Sequence, residues 1–358
     1  MTDTKDPPAD SAEATTAATQ QLSLPPALSQ PVAISSTCFQ NFFEAAQNGT
    51  VLDVDLFVQN GVDVNARDEC GWTALHRAAR ENPNVNILKY LVSRGADVNA
   101  KVDGLGVDIH VENNHGWTAL ELAAWTNPNI DVLKYLVSQD ENVNQKFDDE
   151  VVMLHGAAHN SNIEVIKYII PRVADVNARN NFGRTALHIA ACNNDNVEVL
   201  KYLVAHGIDV HAKSDGGWTA LHEAAERSEP CIEVLEYLIS QGADANAKDN
   251  KGNTPFHYAV RFYCNIEVLE YLVSQGANIN AKNDNGKTPF HYAVRFNCNI
   301  EVLEYLVSQG ANINAKNDNG KTPLDNVGIL GICIGYSIEE RQAILRKMGC
   351  KSGEELAR

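Results

Sequence analysis

Six of the eleven histidines, His76, His155, His188, His222, His257 and His291, recur at one spacing, and a row of imidazoles at a fixed interval invites a metal ladder. Neighbouring packed helices stand about 10 Å apart, whereas a shared ion needs ligands at about 2 Å, so no two of these rings reach one metal. Their other chemistry is local. Five of the six lie three residues after a threonine, and at the equivalent place Thr118 is followed by Glu121, the spacing of a capping box at a helix start. The histidines are therefore expected to serve helix starts. Cys264 and Cys298 also fall one interval apart, and that distance exceeds the roughly 7 Å between Cα atoms that a disulfide spans. They read as small apolar residues. None of the eight cysteines forms a Cys-x-x-Cys pair, so neither a zinc knuckle nor a disulfide framework is indicated, and a reducing compartment fits. Acidic and amide tips such as Asp318-Asn319-Gly320 lack the Asp-x-Asp-x-Asp-Gly loop of a calcium site and read as turn formers. No nucleophile and base can be assembled, and no glycine-rich phosphate cradle follows a strand. The sequence thus gives no catalytic residue, no cofactor and no metal.

The elements that position these residues repeat. The string Gly71-Trp72-Thr73-Ala74-Leu75-His76 recurs with its threonine position at 73, 118, 152, 185, 219, 254, 288 and 322, mostly 34 residues apart. In one unit Thr254 is placed to cap a helix, and Pro255 takes the first helical position, where a missing N–H costs nothing. A second segment carries Ile266, Leu269, Leu272 and Val273 on one helical face, and Gly276 ends it in the left-handed conformation that side chains resist. Asn283-Asp284-Asn285-Gly286 then forms a turn into the next cap. One helix–loop–helix–turn unit cannot bury its two-sided apolar surface, so the units must stack.

The period and both strings resemble the ankyrin repeat, whose signature is Thr-Pro-Leu-His-x-Ala over 33 residues. The resemblance covers about residues 38–349 and implies an all-α solenoid of stacked helix pairs with β-turn fingers. Residues 1–37 lack an apolar period and read as a disordered tail, with a tether or delivery leader as the alternative. About 38–67 resembles an N-terminal capping repeat, full repeats run from 68, about 320–349 resembles a C-terminal cap, and 350–358 reads as a second tail.

Three places depart from the pattern. In the third repeat Glu150 replaces the turn glycine, Val152 the threonine and Val173 the glycine after the second helix, with Pro171 nearby. A lost cap and a side chain forced left-handed each cost about 1 kcal/mol, so this unit is expected to be the soft joint. Asp140 and Glu141 stand where other second helices end in Gly-Ala. The 45-residue step between Thr73 and Thr118 holds an insertion between Lys101 and Gly116, where Val107 to Glu112 alternates like a β-ribbon and reads as a lengthened finger.

In the family that this chain resembles, partners lie across a concave groove lined by fingers and first helices. Carried over by position, the residue before the threonine gives Trp72, Trp117 and Trp218, and the fourth residue after the histidine gives Arg80, Trp125, Arg261 and Arg295. Tyr258 and Tyr292 lie on the same helices. Aromatics and arginine dominate interface hot spots, so these nine residues form the candidate partner site. Trp125 and the arginines stand out, since the scaffold itself has no evident need of them; packing against the neighbouring finger is the competing account of the tryptophans.

The chain of 358 residues is 44% hydrophobic with a formal charge of −17, which suits a folded protein and repels phosphate backbones and anionic lipid. Nucleic acid and membrane are excluded as partners, and a basic protein would gain association rate from that field. No stretch is apolar enough for a membrane span, and the start lacks the order of a secretory signal. The expected function is therefore a non-enzymatic, monomeric, cytoplasmic scaffold that binds another protein. The alternatives are an exported effector that uses the same groove on a foreign protein, and a substrate of asparagine hydroxylation at sites such as Asn99 and Asn177.

Overall fold

A computed structural model describes residues 39–102, 116–139, 150–227, 229, 231–261, 265–296, 299–327 and 338–358. Among the described residues the elements are helices joined by turns, in pairs: α1 (Phe42–Asn48) with α2 (Val51–Gln59), α3 (Ala74–Glu81) with α4 (Val85–Ser93), and α5 (Ala119–Thr126) with α6 (Ile130–Gln139). The pairs α7 (Glu150–His159) with α8 (Ile163–Ile169), α9 (Ala186–Asn193) with α10 (Val197–Ala205), and α11 (Ala220–Glu226) with α12 (Ile232–Ser240) follow. Then come α13 (Pro255–Ala259) with α14 (Ile266–Ser274), α15 (Pro289–Arg295) with α16 (Ile300–Ser308), a 3-10 turn over Pro323–Asn326, and α17 (Ile338–Lys347). First helices pack on first helices from α1 to α15, and second helices on second helices from α2 to α14. The result is the all-α stack of two helix layers that the period implies.

Small residues set the inner spacing. Ala78-Ala79, Ala123-Ala124, Ala157-Ala158, Ala190-Ala191 and Ala224-Ala225 are buried where one first helix meets the next, while Leu88, Leu133, Ile166, Leu200 and Leu235 fill the space between layers. Burying one such leucine stabilises the stack by roughly 1.5–3 kcal/mol, and no unit could supply that burial alone.

Threonine caps six first helices in reciprocal boxes, with histidine as the returning partner in five of them. The histidine does more than cap. In the fourth repeat Thr185 N–H donates to His188 Nδ1 at 3.2 Å, and His188 Nε2 lies 2.9 Å from the carbonyl oxygen of Trp218 in the next unit. His76, His222, His257 and His291 make the same bridge to the carbonyls of Trp117, Asn253, Lys287 and Lys321. With Nδ1 accepting, Nε2 must carry the proton, so the ring is neutral and joins two repeats. Burial holds His76, His188, His257 and His291 down at about 4, and lowers His222 as well.

Two asparagine ladders reinforce the stack. At the ends of first helices, Asn160 Nδ2 donates to the carbonyls of Ala124 and Asn127, and its Oδ1 accepts from Asn162 N–H; Asn82, Asn127 and Asn194 repeat the pattern. At the finger bases, Asn177 Nδ2 donates to Gly207 O at 3.1 Å while its Oδ1 accepts from Asp209 N–H at 2.7 Å. Backbone bonds also stitch adjacent fingers, from Asp215 to Phe182, Asn250 to Gly216, Asp284 to Lys251 and Asp318 to Asn285.

The third repeat is repaired more than strained. Helix α7 begins at Glu150, so Val152 is a buried helical residue and not a cap. His155 Nδ1 faces Val151 O at 2.6 Å, and its Nε2 keeps the bridge to Arg184 O at 2.9 Å. The Ile170–Arg172 3-10 turn, with Pro171 in its first turn, delivers Val173 at φ −94° and ψ 146°, so the left-handed penalty expected there is not incurred. Glu150 Oε2 accepts from Ala174 N–H at 2.8 Å, so the residue that displaced the turn glycine closes the new helix end.

The insertion leaves and rejoins the stack through a bridge, Val102 N–H to Trp117 O at 3.0 Å and Trp117 N–H to Val102 O at 2.8 Å. Its proposed ribbon, Val107 to Glu112, lies outside the described residues, as do the tail over 1–37, Asp140, Glu141, Cys264 and Cys298. At the other end, residues after 349 do not hang free. Lys351 N–H donates to Asn314 Oδ1, Thr322 Oγ1 donates to Lys351 O, and Cys350 is buried, because the segment takes the place of a further finger.

Candidate functional site

The residue before each threonine starts a first helix from the finger side, and the fourth after the histidine stands one turn along it. Both rows therefore share one face of the stack. Burial divides them. Trp72, Trp117 and Trp125 are 1%, 2% and 3% exposed, and Tyr258 is 5% exposed. These four side chains are all but covered, with only Tyr258 reaching a pocket on this face, a correction to the expectation that all nine are available.

Each has a packing account. The Arg77 and Arg80 guanidiniums lie 4.7 and 5.3 Å from the Trp72 ring centroid. Trp117 meets Trp125 edge-on at 5.5 Å, and Trp125 stacks on His159 at 4.6 Å and 20°. Trp125 is not a surplus residue: Gly156 of the next repeat packs against it, close enough that a Cβ there would be in contact with the indole at 3.4 Å. That Gly156 replaces a larger residue at the place held by Arg77, Leu122 and Ile189 was the signal in the sequence. Tyr258 donates its hydroxyl to Asp249 Oδ2 at 2.6 Å, which ties the helix to the finger.

Arg80, Trp218, Arg261, Tyr292 and Arg295 remain partly exposed on the face. Trp218 rests against Tyr258 at 4.3 Å, and Tyr292 donates to Asn253 Oδ1 at 2.9 Å while accepting from Asn283 Nδ2 at 3.1 Å. Between them runs a ladder of charges that sequence reasoning missed. Arg184 Nε lies 3.0 Å from Glu223 Oε1, and one step on, Arg261 Nη1 lies 3.5 Å from Glu226 Oε1. Burial pushes the Glu223 carboxyl up to about 7 although the adjacent Arg184 charge pulls it down.

The ladder ends in positive charge. A pocket of about 230 Å³ on this face is bordered by Lys251, Arg261, Lys287 and Arg295 with Tyr292 and Phe296, and no carboxylate lines it. Both guanidiniums address one ring, Arg261 at 5.3 Å and Arg295 at 5.7 Å from the Phe296 centroid. Burial and then the Arg295 charge lower the Lys287 ammonium below its usual range. Among the described residues no cluster of three His, Cys, Asp or Glu is placed to hold a metal ion, and no helix is long and apolar enough to cross a membrane.

Comparison with known proteins agrees with this architecture. The family described as "Ankyrin repeats (3 copies)" matches residues 42–147, 154–249 and 228–317. Human Protein phosphatase 1 regulatory subunit 27 is 43% identical over 60 residues, 17% of this chain and 38% of that protein. Alpha-latroinsectotoxin-Lt1a of Latrodectus tredecimguttatus is 58% identical over 40 residues, 11% of this chain and 3% of the toxin. Palmitoyltransferase akr1 of Schizosaccharomyces pombe is 48% identical over 61 residues, 17% of this chain and 9% of that enzyme. In each relative the matched part is well under two thirds of its length.

Proposed function

The chain belongs to the ankyrin-repeat family, and from that premise we propose that it is a non-catalytic scaffold whose first-helix and finger face forms a concave groove for a partner protein. The observation that carries this reading is the set of partly exposed Arg80, Trp218, Arg261, Tyr292 and Arg295 along one face. Arginine and the aromatics are the residues enriched among interface anchors, the aromatics because they bury large area with little lost rotamer freedom. Trp72, Trp117, Trp125 and Tyr258 shape that face from beneath.

The rest of the reading follows from charge and chemistry. The formal charge of −17 supports a partner with basic surface and disfavours nucleic acid and anionic membrane. Cys70, Cys231 and Cys350 are free thiols, which supports work in a reducing compartment such as the cytoplasm. The scaffold acts as a monomer, with residues from about 38 onward as the binding array. The relatives' names speak of a phosphatase regulatory subunit, a toxin and a transferase, and what they share with this chain is a matched stretch of 60, 40 and 61 residues respectively. Hydroxylation is the less favoured reading, because the Asn177 amide is bonded at both ends.

The test is affinity capture from the source cell on the full chain, with Arg80→Ala and Trp218→Ala beside Lys201→Ala on a second helix. Loss of the captured protein from the first two variants, with melting temperature retained, supports the groove. Retention in both, with loss from Lys201→Ala, moves the interface to the outer layer and overturns the reading.

A further inference from the structure

Two arginines of this face meet a carboxylate of an adjoining repeat. Arg184 has Glu223, and Arg261 has Glu226 from the preceding repeat. Arg295 is the counterpart of Arg261 one unit later, and in the place of Glu226 it finds Arg261 itself. The two units that begin at Thr254 and Thr288 share the string Thr-Pro-Phe-His-Tyr-Ala-Val-Arg-Phe, so their near-duplication set arginine beside arginine where the previous step set glutamate beside arginine.

We propose that the pocket between Arg261, Lys287 and Arg295 receives a carboxylate side chain from an acidic segment of the partner protein, lying along the groove over Tyr292 and Phe296. This rests on the groove reading above and adds the chemistry of its occupant.

Three observations favour a carboxylate. Arg261 is already met by one at 3.5 Å, and its side chain is 33% exposed. The lining carries four cations and no acid in a chain with 46 Asp and Glu against 29 Lys and Arg, so the patch runs against the composition of the molecule. Asp249, which is tied to the pocket-lining Tyr258 and Asn253, already accepts from the Tyr258 hydroxyl and the Asn253 amide. Like charges held together in a partly desolvated pocket weaken each other's solvation, and an anion seated between them removes that repulsion while gaining charge-assisted hydrogen bonds. The volume, about 230 Å³, suits one or two side chains of an extended segment and not a drug-sized ligand. A partner with basic surface would still be steered by the overall field, and the acidic segment would fix its register.

The probe is a fluorescein-labelled oligoglutamate peptide long enough to span the last three repeats, titrated into the full chain at low salt, with oligolysine and oligophosphoserine peptides as comparison arms. Oligoglutamate should bind, R295E and K287E should each weaken it by about tenfold or more, and K201E should leave it unchanged. R295Q, which removes the charge without reversing it, guards against misfolding of the reversed variants and should weaken binding less than R295E. Binding that ignores both reversals overturns the proposal, as does absence of oligoglutamate binding, tighter binding of oligolysine, or binding of the phosphorylated peptide alone. A captured partner that is lost with Trp218→Ala but kept by R295E sinks the acidic occupant and leaves the groove reading intact.

Discussion

Mild acid should loosen the array through its histidine bridges. His76, His188, His257 and His291 have folded values of about 4 against 6.5 for an unperturbed ring. Below pH 6.5 the unfolded chain takes up protons that the folded rings refuse, so stability is full above 6.5, falls toward 4 and levels off below it. From pH 7.5 to 5.5 each ring withdraws about 1.4 kcal/mol, and four rings about 5–6 kcal/mol if the stack unfolds as one unit. His222 acts in the same direction. Glu223 opposes them: raised to about 7, its carboxyl takes up a proton in the folded state first, which returns about 2 kcal/mol over the same interval, and Glu226 adds to that. The net loss of about 3–4 kcal/mol is a large part of an ordinary stability of 5–15 kcal/mol and should lower the melting temperature of an array of this length by about 5 °C. Calorimetry at pH 7.5, 6.5 and 5.5, with ring-carbon NMR to follow the histidines, measures both halves. A flat melting temperature together with bridge histidines that titrate near 6.5 would refute the account, since rings that protonate freely cannot be accepting from threonine N–H.

Glycine conformation offers a paired test. Gly252 has φ +73° and a Cβ there would sit 2.3 Å from Asp284 Oδ1 in the next finger, whereas Gly276 has φ +81° with nothing within 4 Å. Gly276→Ala should cost about 1 kcal/mol from backbone strain alone, and Gly252→Ala distinctly more; equal losses by urea titration would mean that the finger contact yields freely. In hydrogen exchange, α7 should be protected about as well as α9, because α7 runs back through the buried Val152 to Glu150 and the repeat avoids a left-handed valine. Much faster opening across Val152 to Val173 would restore the soft-joint expectation.

What the sequence alone determined is the periodic part. The 34-residue recurrence, the Thr and Pro at helix starts and the glycines at helix ends identify a stacked helix pair, because caps and left-handed turns are local demands met by particular residue types. The histidines were legible as helix-start residues for the same reason, while their reach to a carbonyl about thirty residues away was not, since a bridge between repeats depends on the stacking distance. The candidate site divides along that line. Position in the repeat places Trp125 and Arg295 on the same face, but only the packed structure decides that Trp125 is covered by His159 and fits above Gly156 while Arg295 stays partly exposed. Val173 shows the converse: a residue read as strained is relaxed because Pro171 reroutes the chain before it. Local rules set which conformation each unit prefers, and burial, which depends on what the neighbouring unit brings within a few ångströms, settles which side chains are left for a partner.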